Sequence, residues 1–157
     1  MAPKQTTASK LTSLTIATRT FGDITVRSDQ IIMLSPGLLG FSQFQRYVLI
    51  EHQKESPFLC MQCVDNPELA FVVIDPAFLV PYYQVGPVEE LMADLAVKTP
   101  QDLKVLVILT IPPGQPQEMT ANLIGPLVIN LKDRRGKQLV LDTPQYSHKH
   151  RVLPSEN

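Results

Sequence analysis

Two cysteines three positions apart, Cys60-Met61-Gln62-Cys63, are the residues most open to chemistry in this sequence. A C-x-x-C pair works as a redox centre when it opens a helix, and as half a zinc site when a second ligand pair lies elsewhere. Here the pair sits inside an apolar run, FLCMQCV, that reads as a strand. Odd spacing in a strand sends the two side chains to opposite faces. The chain has no second C-x-x-C and no His pair at zinc-finger spacing, so buried thiols are the expected state. His148 and His150 would share a face in an extended chain, as half a metal site, but no carboxylate cluster accompanies them and a flexible basic tail explains them more simply. The run Asp133-Arg134-Arg135-Gly136-Lys137 could touch phosphate, yet no aromatic residue is interleaved for base stacking. G-x-S-x-G, P-loop, G-x-G-x-x-G and H-E-x-x-H patterns are all missing from the sequence. No enzyme, metal or cofactor is expected.

The elements that would carry these residues are mostly strands. Leu11 to Thr18 alternates apolar and polar residues, and DITV follows a turn at Phe21-Gly22. QIIML is ended by SPGLLG, whose Gly37 and Gly40 can supply the positive φ that sharp turns need. Further strands read at RYVLIE, FLCMQCV, AFVVID, LKVLVILTI, MTANLI, PLVINL and KQLVLD, with KDRRGKQ as a charged hairpin loop. The break Asp65-Asn66-Pro67-Glu68 is a turn. One helix is expected after Pro87, with Glu89 and Glu90 in its first turn, an apolar stripe through Leu91 and Leu95, and Pro100 ending it. TANLIGPLVIN, Thr120 to Asn130, carries a Gly-Pro pair inside a strand-like run. Two strand pieces, 119–124 and 127–131, with a kink between them accommodate the proline. Thr120 and Asn122 would then share a face, either as a contact surface or as a structural corner, and the corner is the simpler reading. Together these point to a mostly β, single-domain antiparallel barrel-like or sandwich fold with one or two short helices. It would span 11–151, between loose segments at 1–10 and 152–157.

Composition narrows the function. A chain of 157 residues that is 44% hydrophobic can bury a proper core. A net charge of −1 argues against a general nucleic-acid binder. The distribution is uneven: from Glu55 through Val97 there are seven acids and no Lys or Arg, whereas Lys132 to Arg151 holds six basic residues against two acids. An acidic middle and a basic end either dock partners or simply solvate the surface. No signal-peptide core or membrane-length apolar run occurs, and two cysteines make no disulfide framework, so a cytoplasmic protein is expected.

Five segments in order resemble the FliW family of bacterial flagellar assembly factors: TRTFGDI, GLLGF, SPFLCMQCVDNPELAFVVIDP, TANLIGPLVIN and GKQLVLDTPQYSHKHR. The resemblance runs from about Arg19 to Arg151. Its motif residues here are Phe21, Gly22, Gly37, Gly40, Phe41, Gln62, Asp75, Pro76, Thr120, Asn122 and Pro126, read as structural. Three departures touch packing and turns. Leu34-Ser35 stands where the family usually has an aromatic-Pro pair, Cys60-Met61-Gln62-Cys63 stands for Trp-Leu-Gln-Ser, and Gly125 replaces a familiar Ala.

The resemblance implies a non-enzymatic partner switch. FliW-like proteins bind flagellin, and when flagellin is exported they bind CsrA, a small RNA-binding repressor of flagellin translation. Capture could block RNA directly or act from a distant site; the family leans to the second. Flagellin could enter as a helix in a groove or by pairing at a strand edge. The acidic middle fits a basic regulator, which makes Glu55, Asp65, Glu68, Glu89, Glu90 and Asp94 the candidate regulator-facing residues. No direct nucleic acid or membrane contact is expected, and a monomer is favoured. The competing reading is a small RNA-binding β-barrel that uses the basic C-terminal segment.

Overall fold

Alternation of apolar side chains builds a closed barrel. The structure, a computed structural model, describes residues 11–51 and 53–153. The expected loose segment 1–10 and most of 152–157 lie outside the described residues; Val152 is held, its N–H donating to the Met119 carbonyl at 3.2 Å. Among the described residues the strands are β1 (Ser13–Thr18), β2 (Gly22–Arg27), β3 (Ile32–Leu34), β4 (Arg46–Glu51), β5 (Phe58–Cys63), β6 (Ala70–Ile74), β7 (Leu103–Thr110), β8 (Thr120–Ala121), β9 (Leu127–Asn130), β10 (Arg135–Gln138) and β11 (His150–Arg151). The one α-helix among them, α1, is Val88–Asp94.

Seven strands run β7-β6-β5-β4-β3-β10-β9, and β9 returns to β7 to close the barrel. All of these pairs are antiparallel except β10 with β3, which is parallel. Every second residue points inward. Tyr47 thus faces the interior with its register partner Cys63, while Met61 and Val73 add to the same buried cluster. Outside, three smaller clusters pack against the wall. The β1–β2 hairpin covers Val48 through Ile16 and Val26. Helix α1 and the residue that caps it lay Leu91 and Leu95 on Val128. The segment around Leu79, Tyr83 and Tyr146 packs on Ile74, Val107 and Leu123.

Several local expectations need correction. Strand β10 begins at Arg135, inside the stretch read as a hairpin loop, and the KQLVLD strand stops at Gln138. Gly136 permits this: a Cβ there would meet the Val128 carbonyl oxygen at 2.6 Å, so only glycine lets β10 close on β9. Gly40 takes the expected positive φ of 87°, but Gly37 does not; a Cβ on Gly37 would lie 2.9 Å from the Phe44 and Ser42 backbones, so close approach is its reason. Helix α1 ends before Leu95, short of Pro100, which instead opens a 3-10 turn at Pro100–Asp102. His148 lies in a turn, so the extended His148–His150 arrangement does not form.

The Gly-Pro break resolves with shorter pieces than expected: Thr120–Ala121 in place of 119–124, and Leu127–Asn130 in place of 127–131. Both pieces of TANLIGPLVIN pair with the same edge of β7, β8 opposite Leu109 and Thr110, β9 opposite Leu103 to Leu106. Residues 122–126 bulge out between them, tethered where the Asn122 N–H donates to the Ile108 carbonyl at 2.9 Å. Pro126 therefore sits where no ladder donor is needed.

Candidate functional site

The acids do not form one patch. Glu55 lies in the β4–β5 turn and Asp65 beyond the other end of β5, so a six-residue strand, about 20 Å long, separates them. Asp65 is committed: Arg46 donates to both its oxygens, at 3.0 and 2.5 Å, and this holds the carboxyl below its usual range. Glu68 meets Arg19 at 3.4 Å on the exposed surface. Gln62, fully buried, braces the same turn; its Nε2 lies 3.1 to 3.3 Å from the carbonyls of Cys63, Asn66, Pro67 and Leu69.

The other three acids share α1. Pro87 precedes the helix, Glu89 and Glu90 occupy its first turn, and Asp94 bonds Lys137. Among the described residues Glu89 and Glu90 make no ion pair and are exposed. Beside them the chain from Pro76 to Val88 carries apolar side chains that the core does not use: Tyr82 is 87% exposed, Phe78 67%, and Val88 is also exposed. A groove of about 670 Å³ runs between this chain and the start of β7, with Val85, Val105 and Tyr83 among its walls. Its polar end is Asp75, which accepts from the Ala77 N–H at 2.9 Å to cap the turn at buried Pro76, and which faces Lys104 at 3.8 Å. A second, shallower cleft of about 250 Å³ flanks the same ridge at Val85 and Pro87 and continues past Glu90 and Asp94 to Val140. The ridge is fixed by Tyr83, whose hydroxyl donates to the Leu123 carbonyl at 2.5 Å and whose ring packs 4.7 Å from that of Tyr146. Tyr146 in turn accepts from the Gln84 N–H at 2.9 Å.

The motif residues are spread over the barrel: Asp75 and Pro76 line the groove just described, Gln62 braces the β5–β6 turn, and a third group meets at another cleft. Phe41, Thr120 and Asn122 line a cleft of about 300 Å³ together with Leu38 and Leu39. Asn122 is also a corner: its Oδ1 accepts from the Ile124 and Gly125 N–H groups at 3.2 and 3.0 Å. Phe21 and Gly22 make the β1–β2 turn, with Gly22 at φ 69°. Asn130, which sequence reasoning missed, repeats the Asn122 geometry. Its Oδ1 accepts from Lys132 and Asp133, and its Nδ2 donates to the Leu95 carbonyl at 2.9 Å. The signal available was an Asn at the end of an apolar strand.

Cys60 and Cys63 are both buried, with thiols pushed up by burial and so held neutral. Among the described residues no group of three or more His, Cys, Asp or Glu is placed to hold a metal ion. No helix of the described residues is long and apolar enough to cross a membrane. Of the basic C-terminal residues, Arg134 donates to the Gln30 carbonyl, Arg135 meets Asp133, Lys137 bonds Asp94 and Arg151 meets Glu118 at 2.8 Å. Lys132 and Lys149 keep side chains without partners among the described residues, on separate turns.

Comparison with known proteins bears on the whole chain. Residues 15–152 match the family described as FliW protein. A flagellar assembly factor FliW of Treponema denticola is 40% identical over 143 residues, covering 90% of this chain and 95% of that protein. Its counterpart in Leptospira biflexa is 38% identical, covering 91% and 94%. A crystal structure of the flagellar assembly factor FliW superposes with a TM-score of 0.81 at 35% identity, covering 92% of this chain and all of that one. A match over almost the full barrel, in sequence and in fold, places the chain in the FliW family of flagellar assembly factors.

Proposed function

We propose that this chain acts by binding rather than catalysis, as a cytoplasmic switch between two protein partners, flagellin and the translational regulator CsrA. Flagellin occupies it while abundant; when flagellin is exported, the freed protein captures CsrA and relieves repression of flagellin translation. The relatives' role in flagellar assembly supports the flagellar setting. The observation that carries the binding mode is the segment leading into α1, which leaves Phe78, Tyr82 and Val88 exposed and runs on into Glu89 and Glu90, which make no ion pair among the described residues. Three large apolar side chains kept in solvent along one short segment support a contact surface there, and acids that follow them without ion-pair partners favour a basic partner. Of the six candidate acids, Glu55, Glu89 and Glu90 have no ion-pair partner among the described residues, and we place the regulator's contact at Glu89 and Glu90 because they adjoin the exposed apolar segment, with Asp94 shared with Lys137 and Glu55 at the distant β4–β5 turn. Asp65 and Glu68 serve the β5–β6 turn instead.

Switching needs only mass action. The partner with the larger ratio of free concentration to Kd holds the protein, and a tenfold change in that ratio corresponds to about 1.4 kcal/mol. Calorimetry against flagellin and CsrA, first separately and then in competition, tests the reading. Each should bind alone and be weakened by the other; failure to bind either partner overturns it. The RNA-binding alternative would show as a gel shift without CsrA that weakens steeply with salt. The internal pairing of Arg134, Arg135, Lys137 and Arg151 argues against that outcome.

A further inference from the structure

We propose that the cleft between the 38–41 loop and the β7–β8 corner binds the free carboxyl terminus of a polypeptide whose last residues are apolar. The site is separate from the acid-bearing ridge, and its chemistry is different. Its floor is apolar, from Leu38, Phe71 and Ile108. Its rim holds Leu39, 67% exposed, and Phe41, whose ring meets Phe71 edge-on at 5.4 Å. Leu39 is positioned rather than loose, because its N–H donates to Gln138 Oε1 at 3.0 Å.

The polar side of the cleft is one-signed. Lys149 and His148 stand at it and no acid lines it. Lys149 makes no ion pair among the described residues; its backbone N–H is used by the Ser147 hydroxyl at 2.9 Å, which fixes the turn and leaves the ammonium available. Thr110 and Thr120 add hydroxyls that bond no other described group.

The size selects the ligand. At about 300 Å³ the cleft is at the lower end of ligand sites and suits one or two side chains rather than a helix. A chain terminus carries its carboxylate on the same Cα as its apolar side chain, so both fit a short cleft at once. An internal Asp or Glu would bring two flanking peptide groups onto the apolar floor with their hydrogen bonds unmade. A phosphate would find a single lysine where a fork of arginines serves best. Terminal carboxylates are captured in other proteins by nests of backbone N–H groups; here the Lys149 ammonium and the threonine hydroxyls take that part.

The test uses a hexapeptide, Gly-Ser-Gly-Ser-Val-Leu, labelled with fluorescein at its N-terminus, as free acid and as C-terminal amide. Anisotropy should show the acid binding at least tenfold more tightly than the amide. Lys149→Ala should bring the acid down to the amide's affinity without altering the amide. Leu39→Ser should weaken both. Both substituted side chains are exposed, and circular dichroism of each variant checks that the barrel is kept. Equal affinity for acid and amide, no effect of Lys149→Ala, or no binding of either peptide at about 1 mM overturns the assignment.

Discussion

Two asparagines do the same structural work with one difference that mutation can read. Asn122 and Asn130 each turn a side-chain oxygen onto two backbone N–H groups just beyond a strand. Only Asn130 also uses its amide nitrogen, toward Leu95 and Ala96 at the end of α1. An aspartate keeps the acceptor and loses the donor. Asn122→Asp should therefore cost little, under about 1 kcal/mol, whereas Asn122→Ala should cost about 1–3 kcal/mol by orphaning the bulge. Asn130→Asp should cost about 3 kcal/mol or more, because it sets a buried carboxylate against two carbonyls. Urea unfolding of the three variants checks the order. An Asn122→Ala protein that stays stable but loses a partner would instead assign that residue to contact.

At the scale of elements, what the sequence made legible follows from what forms each piece. Strands β4 to β7 alternate or run apolar because one face lines the barrel, and their bounds are readable to within a residue or two. Strand β10 is Arg-Gly-Lys-Gln, polar and glycine-bearing, and it exists because β3 and β9 pair with it from both sides. The end of α1 was hidden for a similar reason. Ala96 takes a left-handed φ of 57° and Asn130, at the far end of β9, holds the Leu95 and Ala96 carbonyls just past the helix, so tertiary contact rather than Pro100 sets the stop. The acidic run was visible as a stretch without cations. The motif cleft was not, because the 38–41 loop, the 110–122 corner and the 148–149 turn meet only through the closed barrel. Tyr83 shows how such joints hold. Tyr83→Phe should cost about 1 kcal/mol by leaving the Leu123 carbonyl unpaired. Tyr83→Ala, which also loses the packing on Tyr146, should cost about 3–5 kcal/mol. Thermal melts separate the two.

For the molecule as a whole, pH and salt read different parts of the charge distribution. Burial pushes Tyr47 up to about 12 and raises Tyr83, Cys60 and Cys63 as well. Each group is held neutral in the folded state, so its stabilising share is full below its unfolded value and is lost as pH rises toward the folded one. The thiols start near 9.0 and the phenols near 10.0, so stability should fall steeply above pH 9. Tyr47 alone should account for about 2–3 kcal/mol of that loss by the time the pH reaches about 12, and Tyr47→Phe should flatten the alkaline limb. At the acid edge Asp65, lowered by Arg46, contributes above its unfolded value of 3.8 and loses its share as pH falls through the folded one; the pair is half-exposed, so that share is small. Salt reads the outside. Glu89 and Glu90 have no ion-pair partner among the described residues, so under the proposed function their pull on a basic protein would run through solvent, where screening sets in over a Debye length of about 8 Å at physiological ionic strength. Reversing both to Lys should slow association with CsrA about tenfold at low salt and much less at high salt, leaving unfolding nearly unchanged. Reversing Glu68, which ties the β5–β6 turn to Arg19 in the β1–β2 turn, should change the on-rate far less. On-rates that do not change with ionic strength in either protein would move the regulator's docking surface off α1.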